Sequence, residues 1–247
     1  MSWSPKYDVS QLDKDFVIKE SELGNYYTMN KSRMSIQSDK LKYLYNKNNI
    51  KNEFLKLGFD VPKLYKYSTE KFDIKEFVKN YEKFVAKPAH MSWADYVFIN
   101  KKYNIDILND ILGKSTIREE PLMLKECEKG IIIEEYIDVI YELKVFVLWG
   151  KPFIGDLRKD ENEFNRVDFI YKKNDYLNWD NEYSLIEKFA DLLKIDFFRI
   201  DFLFDGKKLY ASECAFMPST VLPEDLTDLI EKNWSMPYYK HYYPFLV

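Results

Sequence analysis

Phe197 to Phe216 reads FFRIDFLFDGKKLYASECAF, with apolar and polar residues alternating on both sides of Asp205-Gly206. Alternation with a period of two around a turn dipeptide is the pattern of a β-hairpin with one buried face. A loop of Gly206, Lys207 and Lys208 has a common hairpin length. It sets Asp201 opposite Glu213 and Arg199 opposite Ala215. Phe198, Ile200, Phe202 and Phe204 then share the other face with Tyr210, Cys214 and Phe216, and the core is expected there. The charged face is small at Ala211 and Ala215. Two opposed acids repel unless a cation sits between them, and hard divalent ions such as Mg²⁺ prefer carboxylate oxygens. A metal-phosphate site is one reading of this pair. The other is a shorter turn at Asp205-Gly206, which slips the register and leaves both acids as solvated edge charges.

The chain around this hairpin has 247 residues, enough for one large domain or two fused lobes. It is 46% hydrophobic and 17% aromatic, a composition that builds a core and is far from disordered. A net charge of -4, with both signs interspersed, argues against a general nucleic-acid binder. Cys127 and Cys214 form neither a metal-ligand cluster nor a disulfide framework. The opening residues, MSWSPKYDVSQLDKDF, carry no signal-type apolar segment, and no later run approaches the roughly 20 apolar residues of a membrane span. The expectation is a cytoplasmic protein without a membrane span.

In chain order, residues 1–37 read as a polar N-terminal extension, with a short helix expected between Ser10 and Glu20. Ser38-Asp39 caps a helix with Leu41, Leu44 and Tyr45 on one stripe, and a second helical stretch runs from Ile50 to Leu57 and ends at Gly58. A further helix is expected over 70–83. Phe84 to Pro88 reads as a strand, residues 89–93 as a turn, and Tyr96 to Ile99 as a returning strand. Ile131 to Ile137 is a β-branched run that stops in two acids, Glu134 and Glu135, and buried strands seldom finish so without a partner for the charge. Glu142 to Trp149 alternates as a strand, turns at Gly150 to Pro152, and continues as Phe153 to Arg158. Ser184 to Lys194 is an amphipathic helix, and a short helix from Asp225 to Lys232 precedes an aromatic tail.

Several short motifs occur in one order: SDKL at Ser38–Leu41, GFDVP at Gly58–Pro62, FVAKP at Phe84–Pro88, IIIEEYI at Ile131–Ile137, ELKVF at Glu142–Phe146, DLR at Asp156–Arg158, RID at Arg199–Asp201 and ECAFMP at Glu213–Pro218. Over residues 38–220 the set resembles the ATP-grasp superfamily, and in detail its TupA-like (teichuronopeptide biosynthesis) amidoligase branch. The resemblance implies an α+β fold of two lobes clasping a nucleotide. The divisions expected are 1–37 as the extension, 38–128 as the N-terminal and small lobe, and 129–247 as the C-terminal lobe with its aromatic tail.

By the same resemblance, Lys40 is the first nucleotide-contacting lysine, Lys87 is the second and neutralises ATP phosphate charge, and Ser92 lies in the loop that caps the nucleotide. Glu134, Glu135, Tyr136 and Ile137 form the segment that reads the adenine edge, and Glu142 takes the ribose hydroxyls. Lys144 and Arg158 stand around the transferred phosphate and the substrate carboxylate. Arg199 stabilises the oxyanion, and Asp201 and Glu213 hold Mg²⁺. Two departures stand out: the loop after Lys87 contains no glycine, and Ala215 occupies a position where the family commonly has Asn or Thr. A methyl group cannot ligate Mg²⁺, so that ligand is lost or supplied by water.

The implied activity is ATP-dependent ligation of a carboxylate to an amine through an acyl-phosphate, on small-molecule, peptide or glycan substrates, with a cell-envelope polymer or surface glycan as the acceptor that the branch suggests. Such chemistry needs aligned charge rather than a side-chain nucleophile, so the lack of a Ser-His-Asp arrangement is no objection. The alternatives are an ATP-grasp kinase acting on a hydroxyl, a nucleotide-binding or interaction module without turnover, and a structural aromatic-rich α+β domain. Of the two histidines, His90 is read either as a substrate contact or as a structural turn residue.

Overall fold

The periodicities become two antiparallel sheets with flanking helices in a computed structural model, which describes residues 39–73, 79–90, 98–99, 109–110, 112, 127–159, 165–168, 180–216, 218 and 224–234. The expected extension 1–37, Ser92, most of 105–128 and the aromatic tail lie outside the described residues. The elements in chain order are α1 (Asp39–Tyr45), α2 (Lys47–Leu57), β1 (Leu64–Ser68), β2 (Phe84–Pro88), β3 (Phe98–Ile99) and β4 (Ile131–Glu135). They continue with β5 (Tyr141–Leu148), β6 (Lys151–Arg158), β7 (Asn165–Asp168), α3 (Asp180–Leu193), β8 (Phe197–Phe204), β9 (Leu209–Ala215) and α4 (Glu224–Trp234). The first sheet has the order β1-β4-β2-β3 and the second β7-β6-β5-β8-β9. No described helix is long and apolar enough to cross a membrane.

The expected division between residues 128 and 129 does not follow the sheets. Strand β4 lies beyond that boundary yet pairs with both β1 and β2, and the chain passes to the second sheet only through residues 136–140. Helices α1 and α2 lie before it, yet pack on the second sheet. Their Leu41, Leu44, Ile50 and Phe54 join Leu143, Val145, Ile200 and Phe202 of the strands and Leu185, Ile186 and Phe189 of α3 in one apolar core. Phe54 sits 4.9 Å from Phe189 and 5.1 Å from Phe59, ring centre to ring centre. Each such fully buried phenylalanine contributes on the order of 1.5–3 kcal/mol.

The ends of α2 have local causes. Asn46 accepts hydrogen bonds at Oδ1 from the backbone N–H of Asn48 (2.8 Å) and Asn49 (3.4 Å), capping donors that the helix leaves unpaired. Gly58 stops the helix in a left-handed conformation (φ 98°) while its N–H reaches back to the carbonyls of Phe54 and Leu55.

The β8–β9 hairpin combines two irregularities that cancel. Its loop has four residues, Asp205 to Lys208, because Phe204 pairs with Leu209. Beyond Phe202↔Ala211 the ladder resumes at Asp201↔Glu213, so Ser212 is an extra residue, a β-bulge. The expected pairs Asp201↔Glu213 and Arg199↔Ala215 therefore occur, although the expected three-residue loop does not. On the loop side of the bulge the faces are reversed from expectation. Ala211 is fully buried in the core, and Tyr210 pairs with Leu203 on the charged face. The β5–β6 turn is also tighter than expected: Trp149 and Gly150 both have positive φ (51° and 82°), the two-residue form that matches strand twist, and Lys151 and Pro152 already belong to β6.

Candidate functional site

Because β-strand side chains alternate, the core face of the second sheet leaves its opposite face for other residues. One row of directly paired positions crosses four strands there: Asp156, Lys144, Asp201 and Glu213. Signs alternate along the row until its end, where Asp201 and Glu213 are neighbours of like charge. Glu142, Arg158 and Arg199 lie two residues along their strands from this row, and so on the same face. The far end of the face is apolar. Phe146, Phe197 and Trp234 of α4 pack there, and Trp234 donates its indole N–H to the buried Asp196 carboxylate at 2.8 Å.

Cations from three elements compensate the two acids. Arg199 forks onto Asp201, with Nε–Oδ1 2.6 Å and Nη2–Oδ2 2.7 Å. Burial opposes the guanidinium charge, but Asp201 outweighs it and holds the Arg199 pKa above its ordinary value. Glu213 meets Lys47 of α2 at 2.9 Å and Lys87 of β2 at 3.4 Å. Burial alone would raise the Glu213 pKa, yet these two lysines hold it well below the usual carboxylate range.

The other partner of Lys87 is Glu134 at 2.8 Å, and Glu134 in turn meets Lys51 at 2.5 Å. Lys51, Lys87 and Glu134 are each less than 5% exposed. Thus two lysines one turn apart on α2, a lysine from β2 and glutamates from β4 and β9 form a connected chain of charges that links the two sheets. Its three ammonium groups and two carboxylates leave one net positive charge. Within it Lys87 is raised, since its two glutamates outweigh burial, whereas burial wins at Lys51 and lowers it to about 8.

The remaining candidates divide. Lys144 lies 3.4 Å from Glu142, whose pKa is raised by burial and by the Asp201 charge. Arg158 donates to Asp156 at 2.5 Å. Glu135 turns outward, accepting from the Lys63 N–H at 3.2 Å, and the Tyr136 ring lies under the Lys83 ammonium at 5.3 Å, so neither side chain joins the cluster. Ile137 is buried. Lys40 lies in α1 with its side chain undescribed, and Ser92 is outside the described residues. His90 is buried and accepts the Gly130 N–H at Nδ1 (3.2 Å), a structural bond that fixes the chain just after β2.

Sequence reasoning missed Lys47 and Lys51. Their signal was periodicity: positions 47, 50, 51 and 54 form the buried stripe of α2, and two of the four are lysines. A buried lysine needs an anion, so the stripe itself indicated acids facing the helix.

No protein-family model matches the chain, and no curated protein sequence does. Solved structures match its fold. D-alanine–D-alanine ligase from Bacillus anthracis complexed with ATP superposes with a TM-score of 0.50 at 20% identity, over 80% of this chain and 66% of that one. The ADP complex of purK, N5-carboxyaminoimidazole ribonucleotide synthetase, gives 0.52 at 15% identity over 79% and 52%. A Chryseobacterium gregarium RiPP-associated ATP-grasp ligase, in complex with ADP and a leader and core peptide, gives 0.50 at 15% over 78% and 58%. The chain has the fold of the ATP-grasp ligases. It spans between 52% and 66% of the length of these three.

Proposed function

We propose that the chain is an ATP-dependent carboxylate-amine ligase of the ADP-forming kind. The observation that carries this is the like-charged pair Asp201 and Glu213 at the end of the charged row, compensated by Lys47 of α2, Lys87 of the first sheet and Arg199 of the second. Nucleotide phosphates and a divalent cation match that set. Mg²⁺ is commonly held by one or two carboxylates together with phosphate oxygens, so two carboxylates suffice even though the described residues offer no cluster of three or more acids, histidines or cysteines.

Asp201 and Glu213 would hold the ion, which when bound neutralises phosphate charge and aligns the transferred group. Lys47 and Lys87 would then give their charge to phosphate oxygens instead of Glu213. Lys47 thereby takes the role that the sequence suggested for Lys40. Residues 134–137 would border the adenine, with backbone rather than side chains, since Glu134 is engaged by two lysines. Glu142 would take the ribose hydroxyls. Lys144 and Arg158 lie along the face toward β6, where they would orient the carboxylate substrate. Its oxygen attacks the γ-phosphorus and ADP leaves. The amine nitrogen then attacks the acyl carbon, and phosphate departs as the amine loses a proton. Arg199, anchored by Asp201, would stabilise the oxyanion of that second step. The TupA-like branch, with a cell-envelope polymer or surface glycan as acceptor, is our finer reading and rests on the ordered sequence motifs.

Calorimetric titration of ATP and ADP with and without Mg²⁺, followed by an ADP-release assay over pooled amino acids and carboxylates, tests the proposal. ADP release that requires both a carboxylate and an amine supports a ligase. Release driven by a hydroxyl compound alone replaces it with a kinase, and binding without turnover with a nucleotide-binding module. No nucleotide binding overturns all three.

A further inference from the structure

Glu134 is a carboxylate buried to 2% exposure, within reach of Lys87 at 2.8 Å and Lys51 at 2.5 Å. It lies on β4, in the other sheet from the paired acids Asp201 and Glu213, and its two lysines account for its charge. Lys87 meanwhile has two anions to choose between, Glu134 and Glu213. Without Lys51, Glu134 would have Lys87 alone as its counter-ion, and the cluster would total two lysines against two glutamates. With Lys51 present, Glu134 is neutralised from the α2 side and the surplus charge falls to Lys87 and Lys47, the two lysines on Glu213.

We propose that Lys51 is a positioning residue that satisfies Glu134, so that Lys87 stays available to an anionic phosphate bound between the sheets. This rests on the nucleotide-binding part of the proposed function. Three features of the chain support it. Lys51 is placed by the helix register, one turn after Lys47, on a helix whose start is fixed by the Asn46 cap. Its ammonium contacts Glu134 and none of the carboxylates of the charged row. The charged groups that act on it are Glu134 of β4, Lys87 of β2 and Glu213 of β9, so removing it alters the balance among those three. Lowering of Lys51 to about 8 by burial agrees with this placement and supplies a second handle on it.

The test is calorimetric titration of Mg²⁺ and ATP into the full chain and its variants. Lys51→Met is expected to weaken binding by roughly 10–100-fold, the size of loss seen when outer partners of metal ligands are removed. Lys51→Arg is expected to restore it. The decisive variant is Lys51→Met combined with Glu134→Gln: a neutral glutamine no longer claims Lys87, so the double variant binds more tightly than Lys51→Met alone. A residue that merely stabilised α2 gives no such recovery. Should Lys51→Met fail to fold, pH decides. Wild-type affinity falls as pH rises through about 8 and Lys51→Arg affinity does not. Wild type that binds ATP with Lys51→Met equal to it, or with no difference from Lys51→Arg above pH 8, overturns this inference and leaves the ligase reading standing. Wild type that binds no ATP overturns both.

Discussion

Lys87 of β2 stands 3.4 Å from Glu213 of β9, so a lysine of one sheet and a glutamate of the other share a charge contact between sheets that, among the described residues, exchange no backbone ladder. Glu213 has a second lysine, Lys47, at 2.9 Å. If both lysines turn to phosphate when nucleotide binds, each forms a charge-assisted hydrogen bond worth about 1.5–3 kcal/mol. Lys47→Met and Lys87→Met are each expected to weaken ATP binding by roughly 10–100-fold, measured by calorimetry. Unchanged affinity in either variant removes that lysine from the phosphate site.

Asp201 carries two loads, the fork from Arg199 and the proposed metal ion. Asp201→Asn leaves a guanidinium that is 14% exposed without its counter-charge. Breaking a buried pair from one side costs about 3–5 kcal/mol, so urea unfolding should show a loss near the lower end of that range. The same variant should bind ATP without Mg²⁺ dependence. A fall in stability with Mg²⁺ dependence intact would confine Asp201 to a structural role.

Acid stability follows from Glu213 and Glu134, both held below their ordinary value by lysines. A depressed carboxylate contributes stability that is fully present above its unfolded value of 4.5 and is lost as pH falls from there toward the folded value. Glu142 has the opposite sign. Its folded value is raised, so between 4.5 and that value its protonation favours the folded state as pH falls. Urea midpoints between pH 6 and 3 should therefore drop steeply only below about 4.5. Glu213→Gln should flatten that limb, and Glu142→Gln should leave it in place. An equally steep limb in Glu213→Gln rejects the assignment.

Gly130 precedes β4 and lies against the Tyr67 ring. A Cβ at this position would sit 2.4 Å from Tyr67 Cε2. Moving that ring disturbs a hydroxyl that donates to Glu128 (2.6 Å) and accepts from the α2 cap Asn46 (3.0 Å). Overpacking of this kind costs about 1–3 kcal/mol, and Gly130→Ala should lose that much in thermal or urea unfolding. Paired with Tyr67→Ala the loss should shrink, a coupling that a double-mutant cycle measures. Additive losses would mean that the ring is not what excludes the methyl.

Much of the fold was legible because hydrophobic alternation is strong where one face is buried. The strands β2, β4, β5, β6, β8 and β9 all lie where periodicity puts them, within a few residues at their ends. The segment LYKYS of β1 has only a brief alternation, Tyr65 and Tyr67 against Lys66 and Ser68, and no fully buried residue, and its strand character comes from pairing with β4. At the site, Asp201, Glu213 and Arg199 were legible through cross-strand pairing. Lys47 and Lys51 were not, because lysine ordinarily marks the solvent face of a helix and here occupies half of the buried stripe. Alternation alone assigns Ala211 and Tyr210 to the opposite faces from those they occupy, since a bulge adds a residue without leaving a compositional mark.

The Ser212 bulge also separates the hairpin into two lengths of ribbon that answer to different demands. A residue gained or lost at the tip shifts the parity of Leu209 to Ala211, and the bulge is a place where that shift can end before it reaches Glu213. Drift in loop length at Asp205–Lys208 can thus be tolerated by lineages, or imposed by engineers inserting an epitope there, without rotating an acid of the charged row into the core.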